Sequence, residues 1–126
     1  MEYHTKVIDI SPIIEEEIIL EINKERVVAF INYCPYEIRK GEQYTIELEL
    51  TILDEFIIRH LDAEKGVEQI EDGFAHLIRG MLDIDSATID AGILFEIDRE
   101  FLFDYGYLHN QNVQIRVDRI TADFIG

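Results

Sequence analysis

The residues best suited to chemistry are carboxylates in the second half of the chain. Asp83, Asp85 and Asp90 lie close together in sequence. Carboxylate oxygens suit Ca²⁺, but a calcium loop needs oxygens at short regular intervals and a glycine for its sharp turn. That pattern is absent, and a chain with 27 Asp and Glu among 126 residues brings aspartates together by composition alone. We therefore predict no metal site and no cofactor.

The segment Asp85-Ser86-Ala87-Thr88 resembles the catalytic loop of aspartic proteases. In those enzymes, Asp-Ser/Thr-Gly positions one carboxylate of a pair that shares a proton. Here alanine stands where glycine is usual, and the second glycine-containing apolar motif is missing. A polar turn between two strands explains the same residues by ordinary turn preferences. We interpret the segment as such a turn.

The histidines and the single cysteine form no catalytic or zinc-binding pattern. His4, His60, His76 and His109 show no short ligand spacing, and Cys34 alone cannot complete a thiolate site. The default role for Cys34 is a buried structural thiol. Phosphate-binding glycine loops, Gly-x-Ser-x-Gly and His-Glu-x-x-His are absent. Nothing in the sequence therefore favours an enzyme.

The charge restricts the class of partner. The formal net charge is −16, with only 11 Lys and Arg. Neutralising phosphates requires clustered Lys and Arg, so we expect neither nucleic acid nor an anionic membrane as a ligand. Among possible partners a basic protein fits best, because a negative surface speeds and orients its approach. Acidity that merely keeps the domain soluble is the simpler explanation of the same charge. The first residues, Met1–Lys6, lack the basic and apolar regions of a signal peptide, and no apolar run is long enough to span a membrane, so we expect a cytoplasmic protein.

Alternation of apolar and polar residues is the main structural signal. From Tyr44 to Ile52 every second residue is apolar, and Glu47 and Glu49 lie between them. Side chains alternate between the two faces of a strand, so this segment predicts a strand with a buried face and an acidic face. The chain also contains 22 Ile and only 6 Ala, a composition that favours β-structure over helix.

The same pattern predicts five long strands in a single domain, residues 1–126. They are Val27–Tyr33, Gln43–Leu53, Phe74–Ile84, Ala87–Ile97 and Asn112–Phe124. A short edge strand is predicted at Lys6–Ile10, and a polar connection at residues 60–72. Residues 13–22 fit a hairpin strand, with a helix as the alternative because Ile14, Ile18 and Ile22 recur at helical spacing.

This strand layout resembles an OB-fold, a small, partly open Greek-key β-barrel. Gly80 and Gly92 would supply kinks, and the change of phase near Asp118-Arg119 would be a bulge. The N-terminal hairpin adds one strand, and the helix expected between the third and fourth strands is missing. A β-sandwich explains the alternation as well. Both alternatives predict an all-β protein.

Aromatic residues in loops suggest a binding surface. Tyrosine is favoured at interfaces because it offers a rigid, amphipathic contact area. We select Tyr33, Tyr36, Tyr105 and Tyr107, together with Glu47 and Glu49, as candidate partner-binding residues. Packing of the loop aromatics at the ends of the barrel explains the tyrosines at least equally well.

These residues favour a non-enzymatic module that binds a protein partner, such as a bacterial immunity-type inhibitor of a basic toxin. The alternatives are a β-barrel that binds or hydrolyses a small ligand, and a structural module that self-associates. Whether the chain is a monomer or a homodimer is left open.

Overall fold

A computed structural model describes residues 1–126 as eleven strands and two short 3₁₀ turns, Arg99–Leu102 and Gly106–Leu108. The predicted all-β class is confirmed. Neither helical turn is long or apolar enough to cross a membrane. The strands are β1 (Glu2–Ile10), β2 (Glu17–Ile22), β3 (Glu25–Tyr33), β4 (Gln43–Thr51), β5 (Ile57–His60), β6 (Gly66–Gln69), β7 (His76–Asp83), β8 (Thr88–Asp90), β9 (Leu94–Glu96), β10 (Asn112–Val117) and β11 (Arg119–Ile125).

Five strands close into a ring in the order β1-β2-β3-β11-β4, with β4 pairing back to β1. The β3–β11 pair is parallel and the other pairs in the ring are antiparallel. Each strand contributes buried apolar side chains to the core. Examples, one from each strand in ring order, are Val7, Leu20, Ala29, Phe124 and Ile46.

The remaining strands form a second sheet in the order β5-β10-β7-β8-β9, and β6 pairs with β7. All of them lie between β4 and β11 in the chain, so the second sheet is an insertion within the ring. Buried residues of both sheets belong to one continuous hydrophobic cluster. The five strands of the ring are therefore not the same as the five long strands that the alternation predicted.

The N-terminal strand was predicted wrongly as a short edge strand. It is nine residues long and pairs with β2 on one side and β4 on the other. Its inward residues include Thr5, which is buried and whose hydroxyl donates to the Glu21 carbonyl at 3.0 Å. Because Thr5 is a polar residue at an inward position, the sequence does not alternate between apolar and polar residues at the start of the strand.

Two predicted strands are each divided in the structure. Ala87–Ile97 becomes the hairpin β8–β9, in which Gly92 has φ +92° and its N–H donates to Asp90 Oδ1 at 3.1 Å. Asn112–Phe124 becomes β10 and β11, which belong to different sheets. The predicted irregularity at Asp118 is therefore the point where the chain passes between sheets.

The polar segment 60–72 also differs from its prediction as a connection. It contains β6, which pairs with β7, and the end of β5 at His60, which pairs with Val113. Both strands lie at edges, and neither has a buried residue: β5 exposes three of its four residues and β6 exposes two of four. A short edge strand with little buried surface has no strong alternation, so its sequence resembles a loop.

Residues 17–22 form a strand, as predicted, and pair with β3 as a hairpin. The turn contains only Asn23 and Lys24, with φ of +51° and +69°. Two positive φ angles are the signature of a type I′ turn, whose twist suits a two-residue hairpin. Glu25 and Arg26, predicted to lie in the turn, instead begin β3.

We expect Lys24→Gly to raise the free energy of unfolding by about 0.5–1 kcal/mol. The left-handed conformation costs a non-glycine residue about 1–2 kcal/mol, and the greater freedom of glycine in the unfolded chain offsets part of the gain. Urea unfolding of the variant checks this. Glu25→Gly, one residue further into the strand, is the control and should lower stability. If the free energy of unfolding of Lys24→Gly were equal to or lower than that of the wild type, the turn would not be strained at Lys24.

Candidate functional site

An open groove of about 500 Å³ runs along β4 and faces the end of β9. Five carboxylates line it, and neither Lys nor Arg does. The carboxylates are Glu47, Glu49, Glu96, Asp98 and Asp123. The apolar lining residues are Met1, Leu48, Leu50, Ile52, Ile97 and Phe101.

Strand pairing places like charges next to each other on one wall. Glu47 and Glu49 lie on the exposed face of β4, and Asp123 on β11 is the direct cross-strand partner of Glu47. Like charges directly opposite each other destabilise an antiparallel pair. Asp123 Oδ1 accepts a hydrogen bond from Asn32 Nδ2 at 2.9 Å, which neutralises none of the charge. A cation bound here would relieve the repulsion.

The second wall comes from the end of β9. The Met1 amine lies 3.0 Å from Glu96 Oε1, and this hydrogen bond together with the charge of Glu96 raises the pKa of the amine. Asp98 Oδ1 accepts the Glu100 N–H at 3.0 Å and so caps the first 3₁₀ turn. Tyr3, whose hydroxyl donates to the Leu94 carbonyl, fixes β9 against β1. Burial raises the pKa of Tyr3 to about 12.

Aromatic residues continue from one end of the groove. Phe101 stacks on Phe56 with centroids 5.2 Å apart, and Tyr105 meets Phe56 edge-on at 5.7 Å. Tyr107 lies 6.3 Å from Tyr105 and is 75% exposed. Two of the predicted tyrosines are therefore connected to the groove through Phe56 and Phe101.

The other predicted tyrosines lie beyond the opposite end. Tyr33 is 58% exposed and lines a depression that shares Glu47 and Asp123 with the groove. Tyr36 lies apart from the groove, stacks on Tyr44 at 5.8 Å, and donates its hydroxyl to the Ile125 carbonyl at 2.8 Å. The structure thus brings Tyr33, Glu47 and Glu49 into one region, while Tyr36 has a packing role.

Sequence reasoning missed Glu96, Asp98 and Asp123. Asp123 lies at an outward position of a strand whose alternation was recognised, so its exposure could have been predicted from phase. Its position opposite Glu47 depends on the register between β11 and β4. Glu96 and Asp98 reach the groove only because the second sheet brings the end of β9 close to β4.

Asp83, Asp85 and His109 form the one cluster with metal-like spacing. One ligand atom from each lies within 4.8 Å of the others. Asp83 is already engaged, since Oδ1 accepts the Ser86 N–H at 3.2 Å, and the hydrogen bonds of this turn lower the pKa of Asp83. His109 Nδ1 accepts the Ile84 N–H at 3.1 Å, which leaves only Nε2 for a metal. These contacts belong to the turn between β7 and β8, residues 84–87, which falls in the predicted turn segment Asp85–Thr88, and His109 packs against it.

Cys34 is half-buried, and its Sγ donates to the Tyr36 carbonyl at 3.0 Å. This contact holds the loop after β3 together.

Comparison with known proteins gives one match. No curated protein and no solved structure matches the chain significantly. A family model described as "Uncharacterised conserved protein UCP019853" matches residues 1–125, nearly the whole chain. The chain therefore belongs to the uncharacterised conserved protein family UCP019853.

Proposed function

We propose that the protein is a non-enzymatic binding module whose acidic groove receives a basic segment of a partner protein. The observation that carries this proposal is the lining of the groove, in which five carboxylates face a single cation, the Met1 amine, and no Lys or Arg. Carboxylates bind Lys and Arg side chains, while the apolar lining residues accept their methylene stems and neighbouring apolar residues.

The charge arrangement supports a cationic ligand. Glu47 and Asp123 are paired across two strands, and Glu49 follows on the same face. Removing such repulsion on binding adds to the attraction between partner and groove. Because the groove is open to solvent, salt screens these interactions, so association should weaken as ionic strength rises.

The shape of the groove favours a chain segment over a small molecule. The groove is long and open, whereas the ring interior contains fully buried Leu20, Ile46 and Ile120. A small-molecule site usually encloses most of its ligand. The acidic lining also disfavours nucleic acid and other polyanions.

The test compares two double variants that change the net charge equally. Glu47→Lys with Glu49→Lys reverses the groove, and Glu64→Lys with Glu71→Lys changes exposed carboxylates outside it. Each protein, and the wild type, is immobilised and exposed to extract of the native host at low and high salt. We expect wild type and the outer double to retain a basic protein, and the groove double to retain about tenfold less.

Two results would contradict the proposal. If both double variants retained equally less of the basic protein, binding would depend only on the net charge of the protein. Retention of proteins that are not basic, or binding insensitive to salt, would show that the groove carboxylates do not supply the affinity.

One specific form of the proposal is an immunity-type inhibitor that covers the positive active site of a nuclease toxin in the cytoplasm. The size of the chain and its charge of −16 support this form. It predicts that the retained basic protein degrades nucleic acid and that added wild-type protein, but not the groove double, stops the degradation. A retained partner without nuclease activity would exclude this form and leave the binding module in place.

A further inference from the structure

The second sheet has one side that faces the ring and one that faces solvent. Residues such as Ile78 and Ile115 point toward the ring and are fully buried. The alternate residues of β7 and β10 point the other way, and none of them is buried. Directly paired residues share a face, so the register defines the solvent side, here called the outer face, as the odd-numbered residues of β5 and β7 and the even-numbered residues of β6, β8, β9 and β10. Its large apolar side chains Ile57, Met81 and Leu94 are exposed.

The outer face carries almost none of the negative charge of the chain. It contains three of the 11 Lys and Arg, namely Arg59, Arg79 and Arg116, and only four of the 27 Asp and Glu. Arg79 Nη2 lies 2.8 Å from Glu68 Oε1 and Arg116 Nη1 lies 2.8 Å from Asp118 Oδ1, whereas exposed Arg59 has no such partner. Two copies of a chain with a net charge of −16 repel each other over most of their surfaces. The outer face is therefore a surface on which a second copy meets little repulsion.

A row of directly paired residues crosses the outer face from one side to the other. It runs from Arg59 on β5 through Gln114 and Arg79 to Gly66 on β6. At a spacing of about 4.8 Å between strands, its two ends lie about 14 Å apart. One end carries the unpaired guanidinium of Arg59. The other end has no side chain, and a Cβ atom on Gly66 would meet nothing within 4 Å.

Two carboxylates flank the gap above Gly66. Glu68 and Asp90 pair with the outward residues of β7 on either side of Arg79. Glu68 Oε1 accepts from Arg79, and Asp90 Oδ1 accepts a backbone N–H of its own turn, so each carboxylate keeps a second oxygen free. A guanidinium carries several N–H donors in one plane and pairs well with carboxylates. The gap is therefore suited to an arginine side chain.

We infer that two copies of the chain form a dimer through their outer faces, in which Arg59 of each copy lies between Glu68 and Asp90 of the other. A two-fold axis parallel to the strands, between β10 and β7, brings the β5 side of one copy over the β6 and β8 side of the other and keeps the rows in step. The contact is then isologous, so the same surface serves both copies. Sheets pack face to face with their strands within about 30° of each other, which allows this arrangement. The acidic groove is lined by the ring and the end of β9, so the dimer does not rest on the proposed function.

The dimer is expected to be weak and to strengthen with salt. At the usual spacings within a sheet, the outer face covers about 500 Å² in each copy, less than the ~800 Å² that a stable complex buries per partner. We therefore expect a Kd of about 100 μM. The charge on the rest of each copy causes long-range repulsion, which salt screens, while the Arg59 contacts lie inside the interface and are screened less. Binding of a basic segment in the groove has the opposite dependence on salt.

Sedimentation equilibrium of the wild type at chain concentrations from about 10 to about 500 μM, at low and at physiological salt, tests for this dimer. Arg59→Glu places a carboxylate beside Glu68 and Asp90 and should weaken the dimer about tenfold or more. Arg39→Glu is the matched control, because it changes the net charge equally at an exposed position outside the outer face, and its Kd should stay within about twofold of the wild type. Arg59→Glu combined with Glu68→Arg exchanges the two charges and should recover much of the lost affinity. Urea unfolding of each variant confirms that it folds.

A wild type that remains monomeric at about 500 μM at both salt concentrations would overturn the inference. Equal weakening by Arg59→Glu and Arg39→Glu would also overturn it, because association would then follow net charge alone, and so would a dimer that weakens as salt is raised. If the chain stays monomeric while the wild type, but not Arg59→Glu, retains an acidic protein from host extract, the outer face belongs to that partner instead of a second copy. None of these results bears on the proposed function, which depends on Glu47 and Glu49.

Discussion

Gly80→Ala is expected to lower the free energy of unfolding by about 3 kcal/mol or more, the range of severe overpacking in a core. A Cβ atom at this position of β7 would lie 2.0 Å from the Asp90 carbonyl oxygen and 2.5 Å from the Asp90 carbonyl carbon. Both are backbone atoms of β8, so no side-chain rotation can relieve the clash. The two strands would have to separate, and urea unfolding should report the loss.

Gly66→Ala is the matched control for this prediction. Gly66 lies on β6, which pairs with the first half of β7, and a Cβ atom there meets nothing within 4 Å. We expect a change of about 1 kcal/mol or less, with either sign. Similar destabilisation by both substitutions would contradict the close approach of β7 and β8.

The free energy of unfolding is expected to decrease as the pH is lowered, because of His76. This histidine is 1% exposed and joins the two sheets, since Nε2 accepts the Val28 N–H of β3 at 3.2 Å. Nδ1 lies 2.7 Å from the Phe74 carbonyl, so the neutral ring donates there and accepts from Val28. Burial lowers the pKa of His76 from its ordinary value of 6.5.

The direction of the pH effect follows from proton binding. Below pH 6.5 the unfolded chain takes up a proton on His76 that the folded chain does not, so lowering the pH favours unfolding. The contribution of neutral His76 to the free energy of unfolding is fully present above pH 6.5. Below pH 6.5 it decreases by up to about 1.4 kcal/mol per pH unit. The decrease ends at the lowered pKa of the folded state, where both states are protonated.

Urea unfolding between pH 5 and 8 measures this dependence. His76→Gln keeps an acceptor for the Val28 N–H but does not titrate, so its curve should be flatter below pH 6.5, although its stability at pH 7 should fall by about 1–2 kcal/mol. His60→Gln, at an exposed position, is the control for the substitution itself. A His76→Gln curve as steep as that of the wild type would assign the pH effect to other groups.

Local patterns explain how much of this fold was predictable. Alternation identified β3, β4 and β7 because each has apolar residues on a buried face over several positions. It also indicated that Glu47 and Glu49 lie on the exposed face of β4, since the side-chain period of a strand is two. Gly80 was predicted as a kink, and its position against the Asp90 backbone shows why a side chain is not accommodated there.

The assignment of strands to sheets was not predictable in the same way. The segment from Asn112 to Phe124 alternates almost continuously, yet its two halves pair in different sheets. Periodicity shows which face of a strand is buried but contains no information about its neighbour. The neighbour depends on register and on chain closure, which are set by contacts between residues distant in sequence.

The sequence by itself determined the all-β class and the acidic outer face of β4, because both depend on local side-chain alternation and composition. Only the tertiary structure decided that Asp123 lies opposite Glu47 and that Glu96 faces the same groove. The first depends on the register between β11 and β4, and the second depends on the approach of β9 to β4. Register and the packing of one sheet against another are set by contacts between residues distant in sequence, so no single segment of the sequence encodes them.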